Sequence, residues 1–152
     1  MPPAITQFMG KLNANEKMVA YGAVITIIAW IIGIVTGGGS LSFIAGLAVL
    51  VIYWLKYTPG QTMTWPAPIQ TIVLVIGGLS AIFGLLALLG ILSWFGVLGF
   101  YGGFLLGAVA AVIVNAIGAA MMGWFAWKEY QAMPKATPPA TPPAPPAAPP
   151  AA

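Results

Sequence analysis

The sequence predicts an all-α, polytopic membrane protein: four transmembrane helices in two hairpins, a short N-terminal interfacial helix and a disordered Pro/Ala-rich C-terminal tail. Three observations carry this. Between Met18 and Trp127 the only charged side chain is Lys56. Charged residues make up 5% of the chain, against about 25% in ordinary soluble domains, and mean hydropathy is +0.99. Turn-forming segments cut the apolar stretch into pieces of roughly the length that crosses a hydrocarbon core of about 30 Å. With so few charges a water-facing surface has no cover, whereas a lipid-facing one needs none.

Residues 1–17 form a cytoplasmic N-terminal segment. Ile5, Phe8, Met9 and Leu12 recur at helical spacing, so one face of a short helix is apolar and suits a membrane surface. Pro2 and Pro3 fit its first turn. Asn13-Ala14-Asn15-Glu16 has the spacing of a capping box, with Asn13 as the cap and Glu16 reaching back. The first span follows, about 18–36. Its apolar run is longer than that of a cleavable signal peptide and has no small-residue cleavage pattern after it, so it reads as a retained signal-anchor helix. Gly37-Gly38-Gly39 breaks it.

The second span is about 41–57, short enough either to begin within the glycine run or to thin the bilayer locally. Tyr53, Trp54 and Tyr57 beside Lys56 read as an aromatic belt with a lysine extended to the headgroups. Residues 58–68 are a loop in which Pro59-Gly60 fits the centre of a type II turn and Pro66 and Pro68 delay the next helix. The third span is about 69–92, and Ser93-Trp94-Phe95-Gly96 turns the chain. The fourth lies at about 102–122, with Trp124, Trp127 and Lys128 marking its far interface, as Lys17 does for the first span. The spanning domain thus covers 18–130. Residues 131–152 hold nine of the chain's 14 prolines, and this composition favours a disordered, partly polyproline II tail that serves as a spacer.

Four spans place Lys11, Lys17, Lys56, Lys128 and Lys135 on one side and no lysine on the other. By the positive-inside rule the N- and C-termini are cytoplasmic, and the expected location is a bacterial inner membrane.

Along the fourth span Gly99, Gly103, Gly107, Ala111, Asn115, Ala119 and Gly123 recur every four residues. Small residues at this spacing let helix backbones approach closely, as in GxxxG packing. The stripe turns by about 40° per step at 3.6 residues per turn, so it divides between two neighbours. Partner stretches lie at Gly33/Gly37, Ser42/Gly46, Gly77/Ala81 and Ser80/Gly84. Asn115 is the most polar residue deep in a span. An interhelical hydrogen bond explains it more simply than a solute path. Thr26 and Ser80 can bond carbonyls of their own helices.

The chemistry excluded is broad. Cys and His number zero, and Arg and Asp are also missing from the sequence. Thiolate sites, histidine bases and Ser-His-Asp triads are therefore ruled out. No span carries an ionisable group of the kind that ion-coupled transport uses. Lys56 sits at a span end, and Glu16 and Glu129 flank the spanning region. The expectation is a non-catalytic membrane protein without catalytic, cofactor-binding or metal-binding residues. It acts as a structural or accessory subunit that associates with itself or a larger complex through the small-residue seam of the fourth span. The expected partners are the lipid bilayer and either itself or another membrane protein, with no nucleic acid. One alternative is a small oligomeric transporter or channel for uncharged or lipophilic solutes. Another is a membrane anchor whose Pro-rich tail recruits a soluble partner.

Overall fold

The computed structural model describes residues 3–36, 40–60, 63–94 and 102–134. Among these there are five α-helices and no strands: α1 (Pro3–Lys11), α2 (Ala14–Thr36), α3 (Ser42–Tyr57), α4 (Ile69–Trp94) and α5 (Gly102–Gln131). The tail from Lys135 onward, the glycine run 37–39, and Gly99 lie outside the described residues, as does the environment of Gly103.

Local chemistry accounts for the helix ends. The Asn13 side chain accepts from the Glu16 backbone N–H at 2.9 Å, and the Glu16 carboxylate accepts from the Asn13 N–H at 2.9 Å. This reciprocal capping box starts α2 at Ala14. α3 ends at Tyr57, two residues before Pro59. Gly60 there has φ +84°, the left-handed backbone that the third position of a type II turn requires. The Thr58 hydroxyl donates to the Trp54 carbonyl at 2.7 Å and satisfies one of the last open acceptors of α3.

α2, α4 and α5 are each long and apolar enough to cross a membrane. α3, with 16 residues, is apolar but shorter, and at 1.5 Å per residue it reaches only about 24 Å. The structure therefore supplies three helices of full spanning length where the sequence suggests four. Leu41, which precedes α3, makes no side-chain cap, and α3 starts at Ser42. α4 absorbs Ser93 and Trp94, which the sequence assigns to a turn. α5 continues to Gln131, beyond the expected end near residue 122, because Ala, Met, Trp and Lys in that stretch all favour or tolerate helix.

α5 lies between α2 and α4 and packs on both, while α3 packs on α2 and α4. α1 folds back over the end of α3. The exterior is the reverse of a soluble protein. Val35 is 76% exposed and Leu106 is 73% exposed, whereas Thr26, Ser42 and Ser80 are 0% exposed. Apolar side chains face outward and polar ones inward, as hydrocarbon surroundings dictate. A core of Leu12, Val19, Val49, Tyr53, Val73 and Met122 fills the end of the molecule nearest α1.

Candidate functional site

Two polar groupings stand out in an otherwise apolar molecule. The first lies at the end where α1 meets α2, α3 terminates and α5 runs out. Glu16 is 1% exposed and is enclosed by donors. It pairs with the Lys56 ammonium, accepts from the Tyr57 hydroxyl at 2.6 Å, and accepts from the Asn13 N–H. Among the described residues this is the one ion pair. Glu129, on α5, accepts from the side-chain amides of Asn13 at 2.9 Å and Asn15 at 3.4 Å. Asn13 therefore caps α2 with its oxygen and holds α5 with its nitrogen. The cluster ties three helix ends together.

This placement changes the sequence reading of the anchors. Lys56 turns inward to a carboxylate, and its side chain is 24% exposed. Tyr57 follows it. Tyr53 is buried, and its hydroxyl has no hydrogen-bond partner among the described residues. Glu16, which flanks the spanning region, is one of the most buried side chains of the protein. The reason is proximity that no local pattern encodes: antiparallel packing of α2 on α3 brings residue 16 beside residue 56. Trp54, Trp124 and Trp127 are exposed. The Lys128 ammonium lies over the Trp124 ring at 5.7 Å, and Trp127 stacks on Tyr130 with centroids 5.9 Å apart. Lys17 is partly exposed on the first turns of α2.

The second grouping lies deeper. The Asn115 amide donates to the Ser42 hydroxyl at 3.4 Å, a long bond between α5 and α3. The Ser42 and Ser40 hydroxyls hydrogen-bond to each other at 3.0 Å. The Asn115 carbonyl oxygen and the Ser80 hydroxyl are buried without partners among the described residues. Thr26 bonds the Ala23 carbonyl of its own helix at 2.8 Å, whereas Ser80 makes no such bond. Trp30 stacks on Phe43 of α3 with centroids 4.1 Å apart.

Between these groupings the helices meet at glycines. A Cβ placed on Gly22 would lie 2.7 Å from the Gly118 carbonyl oxygen and 2.9 Å from the Met122 nitrogen. One on Gly118 would lie 2.9 Å from the Gly22 oxygen. The backbones of α2 and α5 thus touch where both residues lack a side chain. A second crossing joins α4 and α5. There a Cβ on Gly123 would lie 3.2 Å from the Gly77 oxygen, and one on Gly84 would lie 2.9 Å from the Ala119 Cβ. Of the stripe named from sequence, Gly107 faces Thr36 of α2, while Ala119 and Gly123 face α4. Ala111 is buried. Gly118, whose backbone meets that of Gly22 on α2, lies off the four-residue register, so a search for that spacing passes over it.

Among the described residues no group of three or more acidic or metal-ligating side chains gathers. No protein-family model, curated protein or solved structure matches this chain. Its three long apolar helices are those of a multi-pass membrane protein.

Proposed function

We propose that this chain is a non-catalytic integral membrane protein with four spans, both termini cytoplasmic, in a bacterial inner membrane. In this reading it is a structural or accessory subunit. α3 is the fourth crossing. Its pairing supports this: Lys56 meets Glu16 near the start of α2, and Phe43 meets Trp30 far along it. α3 therefore runs beside α2 over most of its height, and local thinning of the bilayer covers the shortfall.

The observation that carries the functional reading is how the small residues are used. Gly22, Gly118, Gly77 and Gly123 close contacts within one chain, so the seams build the protomer. The apolar outer faces remain for lipid and for a second membrane protein, either a copy of this chain or another subunit. The test is energy transfer between donor- and acceptor-labelled copies in liposomes, together with the mass of the complex purified in mild detergent. Transfer above random proximity or a stable heteromeric complex is expected. A strictly monomeric chain that purifies alone in both settings would remove the accessory-subunit reading.

A second reading, a path for a small uncharged solute, draws on the unpartnered Asn115 oxygen and Ser80 hydroxyl in the interior. Solute flux into liposomes that disappears in Asn115→Leu would move it ahead.

A further inference from the structure

Two cavities adjoin at the end of the molecule that carries the lysines. The larger, about 600 Å³, lies between α1 and the outward faces of α2 and α3, with Ile5, Met9, Val24, Leu47 and Leu50 among its walls. The smaller, about 190 Å³, is bounded by Gln7, Lys11, Tyr57, Thr58 and Pro59. Phe8 and Trp54 line both, and their rings are 5.5 Å apart. An apolar slot therefore continues past an aromatic pair into a polar mouth.

The mouth is cationic. Lys11 is exposed, and its ammonium donates to the Tyr57 carbonyl at 3.3 Å. The nearby carboxylate of Glu16 is already committed to Lys56. The positive charge of Lys11 thus stands beside the slot without a counter-charge among the described residues. Apolar walls reject water and a free polar solute. A molecule complementary to both parts has a hydrocarbon chain and an anionic head.

α1 adds a second argument. Nine residues are too few for a helix to persist alone. α1 reaches the core through Phe8 and Met9, with Leu12 buried just beyond its end, leaving the slot beneath Ile5 and Thr6. A chain filling that slot would complete the packing of α1.

We propose that the slot holds one acyl chain of an anionic phospholipid, with its phosphate on the Lys11 ammonium. The lipid is a site-bound component that fixes α1 to the α2–α3 face. This rests on the reading of α2 and α3 as embedded in the bilayer. If that reading fails, the purified chain stays monodisperse without detergent, an outcome separate from any lipid preference.

The test uses the full chain in mild detergent, observed by native mass spectrometry. It is titrated with dioleoylphosphatidylglycerol, dioleoylphosphatidylcholine or inorganic phosphate. The expected result is a one-to-one phosphatidylglycerol adduct, favoured about fivefold over phosphatidylcholine, as one lysine at a lipid surface provides. Lys11→Gln should abolish the preference while leaving weak phosphatidylcholine binding. Val24→Trp, on the exposed wall of the slot, should remove both adducts while the thermal transition of the protein persists. Equal binding of the two lipids by the native chain would overturn the proposal, as would a preference that survives Lys11→Gln. Retention of inorganic phosphate alone, with no lipid preference, would show an anion site without a lipid and would overturn it too.

Discussion

At the scale of single residues, the Glu16–Lys56 pair has the clearest energetic consequence. A buried ion pair is weak evidence for stability as a unit, but removing one member leaves the other uncompensated, which typically costs about 3–5 kcal/mol. Lys56 keeps partial contact with solvent, so solvent screening brings the cost to the bottom of that range or below it. Glu16→Gln or Lys56→Met should each destabilise the protein by about 2–3 kcal/mol. The double variant should lose clearly less than the sum. A double-mutant cycle of unfolding in detergent micelles, read by tryptophan fluorescence, measures this coupling. Additive losses would mean that the two side chains do not interact. Asn115 behaves differently. Its one hydrogen bond is long and its carbonyl oxygen is unpartnered. Asn115→Leu removes a bond worth about 0.6–2 kcal/mol together with an orphaned acceptor. Its stability should stay within about 1 kcal/mol of the native chain in the same assay.

At the scale of helices, the glycines divide into those that meet a neighbour and those that do not. Gly22 and Gly118 oppose each other across α2 and α5, with backbone atoms as the obstacle to any Cβ. A backbone cannot swing aside as a side-chain tip can, so the helices themselves must separate. Gly118→Ala should cost about 1–3 kcal/mol. Gly78 and Gly90 on α4 have nothing within 4 Å of a built Cβ, and Gly78→Ala should change stability by less than about 0.5 kcal/mol. Gly77→Ala, its immediate neighbour in sequence, should be destabilising, because its Cβ would lie 3.1 Å from the Met122 carbonyl oxygen. Thermal unfolding in one detergent orders the three variants. Equal effects at Gly77 and Gly78 would contradict the α4–α5 contact. Much of this scale was legible in the sequence. Asn13 with Glu16 marks the start of α2, Pro59-Gly60 marks the turn after α3, and the apolar runs outline four of the five helices. The pairing of Gly22 with Gly118 was not. Helical spacing identifies a face, and which helix meets that face depends on how the chain folds back.

For the whole molecule the question is which helices cross and in which direction. The chain has no cysteine, so single cysteines report on sidedness without background. Introduced at Gly10, Gly60 and Met133 they should react with an impermeant maleimide from one side of a sealed vesicle. At Ser40 and Ser93 they should react from the other. If α3 did not cross, Gly60 would share a side with Ser40, and the four-span topology would fall. The lysine distribution predicts that the first side is cytoplasmic. The same end of the molecule holds the Glu16 cluster, the Glu129 contacts to Asn13 and Asn15, and the cationic mouth beside Lys11. Its polar chemistry is concentrated there, with apolar surface along the helices.

The amino-acid sequence alone determined the solvent, the helices and much of their punctuation. These follow from composition and from contacts a few residues apart, which a linear pattern records. Only the tertiary structure decided that Lys56 turns inward to Glu16, that Tyr53 is buried, and that α5 sits between α2 and α4 with its glycines against both. Those outcomes depend on residues 40 to more than 100 positions apart in the chain. Their proximity comes from packing geometry, and the physical reason is that a helix face specifies what kind of surface it needs, not which surface will arrive.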